Sequence, residues 1–128
     1  MVVNPLLLEG QVHGGIAQAL GQALTEQTVY DESGQLLTAS FMDYAMPHAD
    51  EMPTIEFETR NIRCTTNPMG VKGAGEAGAI GATPAAMNAV VDALYRGYGI
   101  KTLDMPAIPL KVWQAIHAAS GKKAAKGK

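Results

Sequence analysis

The stretch from Gly70 to Pro84, GVKGAGEAGAIGATP, constrains this chain more than any other. Nine of its fifteen residues are glycine or alanine, so it brings little side chain to a core. Such a segment lets the backbone come close to another surface and present its amides. The same scarcity of bulk runs through the molecule. Of 128 residues 47% are hydrophobic, many of them alanine, and only 5% are aromatic. Small side chains bury little area each, so a single domain, or a piece of a larger one, with a thin core is expected.

Within this stretch Gly73–Gly78 spells G-x-G-x-x-G, the letters of a dinucleotide-binding turn. That turn requires an apolar strand directly before it, a helix starting within it and an acid about 20 residues on. Residues Arg63 to Pro68 are instead polar and end in proline. The helix signal, an N-cap threonine followed by an N1 proline, stands at Thr83–Pro84, after the motif has closed. The acids downstream are Asp92, inside that expected helix, and Asp104, beyond it. A dinucleotide-binding module is therefore the weakest of three functional readings. The carboxylate between the glycines, Glu76, offers another. With neighbours too small to shield it, its surroundings are backbone amides and whatever docks on the loop. Partial desolvation there would raise its proton affinity towards that of a general base. From the residues alone, a glutamate at the edge of a surface loop remains the competing reading.

Along the chain, Val2–Val3 and Leu6–Leu8 read as extended segments broken by a turn at Asn4–Pro5. Ile16, Leu20, Ala23 and Leu24 then repeat at helical spacing, with glycines that imply a close neighbour. Thr28–Thr38 has the form of a hairpin turning at Asp31–Gly34. Residues 55–59 alternate as a half-buried strand, with Ile55, Phe57 and Thr59 on one face. A helix from Thr83 would bury Met87, Val90, Val91, Leu94 and Tyr95 and stop at Gly97 or Gly99. A short strand over 100–103 and a helix over 109–119, with Val112, Trp113 and Ile116 inward, complete the series. The expected class is α+β, with two or three helices packed on a small, mostly antiparallel sheet.

Charge and cysteine usage narrow the function. The net charge of −2 includes four lysines in residues 121–128, a segment read as a basic disordered tail after a body of residues 1–120. That body is acidic, which argues against a nucleic-acid partner. No apolar run reaches the roughly 18 residues of a membrane span and no signal peptide is visible, so a cytoplasmic protein without membrane contact is expected. One cysteine, Cys64, excludes an internal disulfide and reads as a small buried residue.

Three blocks, EGQVHGGIAQALGQAL at 9–24, NPMGVKGAGEAGAIGATPAAMNAVVDAL at 67–94 and MPAIPLKVWQAI at 105–116, resemble the C-terminal part of the molybdopterin-binding large subunit of the molybdenum hydroxylases. That family includes xanthine dehydrogenase, aldehyde oxidoreductase and carbon monoxide dehydrogenase-like enzymes. The resemblance spans nearly all of residues 2–118 and implies that the chain is part of a larger molybdopterin-binding domain. It implies Glu76 as the catalytic general base on a Mo–OH group, inserting water-derived oxygen at an aldehyde or N-heteroaromatic carbon. Gln11 corresponds to a glutamine that hydrogen-bonds an oxygen ligand of the metal or the pterin. Val12, His13 and Gly14 fall in the same cofactor-lining segment. Gly73, Ala74 and Gly75 would supply amides and clearance, and Lys72 either reaches the cofactor phosphates or stays solvated. No side chain is implied as a metal ligand, His13 included.

The implied cofactor is molybdenum–molybdopterin, including its cytosine dinucleotide form, with iron–sulfur clusters and FAD on partner subunits or domains. The implied partners are the remainder of the large subunit, the iron–sulfur and flavin subunits, and a small-molecule substrate. Family large subunits are several times longer, so a natural split subunit or a fragment is expected, inactive and weak in cofactor binding when alone. A purely structural piece that completes a larger subunit is the second functional reading.

Overall fold

Asn4 opens the first helix. Its backbone is extended and its Oδ1 accepts the Leu7 amide at 3.1 Å, while Pro5 takes the first helical position, where no N–H is needed. Helix α1 therefore runs over Pro5–Leu24, and the expected extended start is corrected. The Asn-Pro pair that reads as a turn is equally a helix start, and Leu6–Leu8 continue into the helical pattern that follows. The computed structural model describes the backbone of residues 1–126 and the side chains of residues 1–121.

Helix α2 covers Ala77–Tyr98 and also starts earlier than expected, with Pro84 in its interior. An interior proline removes one hydrogen bond and costs about 3 kcal/mol in a solitary helix. Here the preceding turns are held against α1, and the Thr83 hydroxyl donates to the Ala79 carbonyl at 3.3 Å. Gly99, in the left-handed conformation at φ 74°, closes the helix as anticipated. Leu94 is buried and Met87, Val90 and Val91 are half-buried, whereas Tyr95 is exposed.

Helix α3 spans Pro109–Lys126. Val112 and Ile116 are half-buried, but Trp113 is 59% exposed and stacks on His117 at 5.1 Å, which corrects its inward placement. With α3 only lightly seated on α2, the indole finds its cover from the ring one turn along its own helix. The helix bounds enter the segment 121–128 read as a tail; residues 127–128, and the side chains from Lys122 on, lie outside the described residues.

The expected sheet is absent among the described residues, where the one β pairing is an antiparallel bridge between Tyr30 and Leu36. The hairpin turn itself forms. Asp31 Oδ1 accepts the Ser33 amide at 2.8 Å and the Gln35 amide at 2.9 Å, and Gly34 supplies the positive φ. The Ser33 hydroxyl also donates to Asp31, which holds that carboxyl below its usual range. Its arms are too short to make a ladder. Residues 55–59 and 100–103 are irregular, and 55–59 make no backbone hydrogen bond among the described residues. Alternation in sequence reports a half-buried extended backbone and carries no information about whether a neighbour exists.

The core lies where α1 meets α2, and it is made of small residues. Ala19, Ala23, Leu94 and Ala107 are its buried apolar members, and among the described residues no large side chain is fully buried. Ala107 is tied to α1 by its amide, which donates to the Ala23 carbonyl at 2.7 Å. Gly15 and Gly78 let the two backbones touch. A Cβ on Gly78 would collide with the Val12 carbonyl oxygen, and one on Gly15 would lie 3.0 Å from the Ala79 nitrogen. Replacing Gly78 with alanine should therefore destabilise the chain by about 1–3 kcal/mol through overpacking. Gly81→Ala, into open space on the same helix, should stabilise it by up to about 1 kcal/mol. Urea unfolding of the two variants checks this, and equal effects would disprove the backbone contact.

Candidate functional site

The α1–α2 contact brings two distant segments together. Gln11 and Val12 lie on the first half of α1, and the loop Gly70–Gly75 leads into α2 one turn from Gly78. Between them, and lined also by Asn4, Leu7, Leu8, Phe57, Thr59, Arg60, Asn61 and Ile62, lies a groove of about 650 Å³. It is open to solvent along one side. Six of the eight expected cofactor-binding residues line it: Gln11, Val12, Lys72, Gly73, Ala74 and Gly75. The remaining two, His13 and Gly14, sit on α1 outside the lining, as does the expected base Glu76.

Glu76 occupies the N-cap position of α2 with φ −102° and ψ −2°. Its side chain makes no capping hydrogen bond and is exposed. The desolvation expected of it is thus not supplied by this chain's own side chains. Because α2 begins at Ala77, a helix does start within the G-x-G-x-x-G letters, contrary to the sequence expectation. The other requirement still fails. The residues before the motif form turns and irregular backbone, and α2 packs on another helix.

The loop approaching α2 is held open by one side chain. The Asn67 amide group donates to the Val71 carbonyl at 3.0 Å and its oxygen accepts the Val71 amide at 3.2 Å. Beyond that clasp, the amides of Lys72, Gly73, Ala74 and Gly75 donate to no acceptor among the described residues. The groove lining includes Arg60 and Lys72 and not one aspartate or glutamate, although acids outnumber bases in the chain. Free amides and two cations beside an apolar floor suit a large ligand with oxygen-rich, anionic parts. His13 adds an unsatisfied group: its Nε2 is buried without a partner, and its ring meets Phe57 edge-on at 6.3 Å.

Sequence reasoning missed Asn4, Phe57, Thr59, Arg60 and Asn61 as groove residues. The alternation at 55–59 was a usable signal for Phe57, since its face had to cover something. Nothing in the local sequence marked Arg60.

The comparisons agree with this arrangement. Residues 1–53 match the molybdopterin cofactor-binding domain family. Over 90% of its length the chain is 42% identical to the nicotine 6-hydroxylase large subunit of Paenarthrobacter nicotinovorans. Over 88% it is 38% identical to the carbon monoxide dehydrogenase large chain of Afipia carboxidovorans. It spans 14% of each of these relatives, about one-seventh of their length. The crystal structure of quinoline 2-oxidoreductase from Pseudomonas putida 86 matches with a TM-score of 0.85 at 38% identity, over 91% of this chain and 15% of that one.

Cys64 stands at the base of the same loop, its amide donating to the Gly70 carbonyl at 3.1 Å. It is half-buried rather than buried. Its sulfur lies 3.0 Å from the Thr66 hydroxyl, and this hydrogen bond, with the Thr66 backbone and the Lys72 charge, holds the thiol below its usual value of 9.0. A lowered thiol pKa means more thiolate at a given pH below it. Thr66→Val should therefore shift the pH midpoint of Cys64 alkylation by iodoacetamide upwards. An unchanged midpoint would show that the hydroxyl is not the cause.

Proposed function

Because the chain belongs to the family of molybdopterin-binding large subunits of the molybdenum hydroxylases, we propose that it forms the C-terminal part of such a subunit and closes one side of its cofactor site. The observation that carries this reading is the groove. It joins Gln11 and Val12 to Lys72–Gly75 with free amides, two cations and no acid in its lining. Those residues fit a molybdenum–molybdopterin group, including a cytosine dinucleotide form whose phosphates would face Lys72. When bound, that group supplies the two-electron redox chemistry and the activation of water for oxygen insertion.

The protein's own contribution is positional and acid–base. Gln11, exposed on α1, donates its side-chain amide to an oxygen of the cofactor without adding charge. The Gly73–Gly75 amides add donors whose geometry is set by backbone alone. Glu76 is the general base: its carboxylate takes the proton released as water-derived oxygen is transferred to an aldehyde or N-heteroaromatic carbon. Carboxylates are stronger bases in dry surroundings, and the cover that dries Glu76 comes from cofactor, substrate and the remainder of the large subunit. Iron–sulfur and flavin subunits would accept the electrons that the cofactor takes up. One relative is named as the gamma subunit of a dehydrogenase complex, in keeping with such an assembly. A cytoplasmic location completes the proposal; among the described residues no helix is long and apolar enough to cross a membrane.

A structural role without chemistry is the second reading, favoured by the thin core and the one-sided groove. Glu76→Gln separates the two in the assembled enzyme. As base, its loss should lower turnover by about 10²–10⁴-fold with molybdenum content unchanged. Retained turnover would leave only the structural role. The chain purified alone should contain no stoichiometric molybdenum, as measured by metal analysis.

A further inference from the structure

Residues 54–61, TIEFETRN, form an irregular segment whose amides are unused. None of their amides donates to an acceptor among the described residues, and only the Arg60 carbonyl accepts, from Ile62. Yet the segment is not a loose loop. Ile55 and Phe57 are half-buried, Phe57 against His13, while Glu56 and Glu58 point outward. This is the side-chain pattern of a strand already seated on one face and lacking its neighbours. Thr54, Glu56 and Glu58 to Asn61 are exposed, so these unpaired backbone groups are open to water and free to pair with an incoming strand.

We propose that residues 54–61 are a docking strand, and that the occupant of its free edge is a β-strand from the remainder of the large subunit. The inference rests on the family reading above but not on the role of Glu76. Two observations select this occupant. The same backbone arrangement recurs, at TM-scores of 0.83 to 0.85, inside chains of which this one covers only 15%. Each of those chains therefore holds several times more residues than the present one, from which a flanking strand can come. A second copy fits poorly, because antiparallel pairing centred on Phe57 sets Glu56 against Glu58 of the other copy. Like charges directly opposite one another destabilise a pair of strands. The incoming strand carries neutral or basic residues opposite Glu56 and Glu58, and an apolar residue beside Phe57.

Adjacent residues of a strand direct their N–H groups to opposite edges, so proline and alanine substitutions identify the edge in use. The test grafts this chain onto the nicotine 6-hydroxylase large subunit in place of its matching segment, and measures assembly by size exclusion. Glu58→Pro or Thr59→Pro, whichever faces the occupied edge, should reduce assembly at least tenfold, with Glu58→Ala and Thr59→Ala without effect. In the assembled protein, hydrogen exchange of residues 54–61 should slow at least 100-fold relative to the isolated chain. If the graft does not assemble, the same substitutions at the aligned positions of the relative's own segment carry the test. Full assembly of both proline variants, or unprotected amides in the assembled protein, would overturn the proposal. So would a dimer of the isolated chain protected at 54–61, which would make a second copy the occupant. A Glu76 variant that loses turnover but assembles leaves the proposal intact, which keeps the two readings separable.

Discussion

The fold depends on two helix backbones touching without side chains between them. Gly78 sits against the Val12 carbonyl and Gly15 against Ala79, so α1 and α2 meet at a distance that any Cβ would prohibit. Close contact of this kind is stabilised by dispersion between main chains and has no rotamers to rearrange. It also fixes a register. Val12 belongs to the contact and Gln11 stands just before it on α1, while the loop to Glu76 ends just before it on α2. The segments that line the groove are thus positioned by glycine packing one turn away, and the precision of the site comes from the backbone.

What the chain supplies is one wall of a site. Its groove has the donors and positive charge for an anionic ligand but lies open along one side, and the proposed base is exposed at its margin. Apolar side chains around the opening, among them Leu6, Leu7 and Ile62, face solvent. Phe57, Thr59, Arg60 and Asn61 of the unpaired segment line the same groove, so exposed apolar surface and unused backbone groups adjoin one another there.

Sequence reading succeeded where chemistry is local. The C-cap at Gly99, the Asp31 turn and the apolar stripe of α2 follow from single residues and short spacings, and the structure has them, apart from Tyr95, which is exposed. It erred where one signal has two meanings or a partner is needed. Asn4–Pro5 starts a helix as readily as it makes a turn, and Thr83–Pro84 looked like a helix start because the contact that carries α2 through Pro84 comes from residues 60 positions away. The sheet failed for a similar reason: alternation at 55–59 reported the half-burial of Ile55 and Phe57, though not of Thr59, but pairing is a property of two segments. For the site, the blocks around Gln11 and Glu76 were legible by resemblance. Arg60 and Asn61 were not, since their place at the groove follows from tertiary structure alone.

A core of alanine, glycine and a single buried leucine has a thermal consequence. The heat capacity of unfolding scales with the apolar area newly exposed to water, and so does the steepness of a denaturant transition. With Ala19, Ala23, Leu94 and Ala107 as its buried apolar members, the chain has little such area to expose. Its free energy of folding therefore varies weakly with temperature, and its melting is broad. Sharp, cooperative melting belongs to the assembly, where the surfaces this chain leaves open are covered.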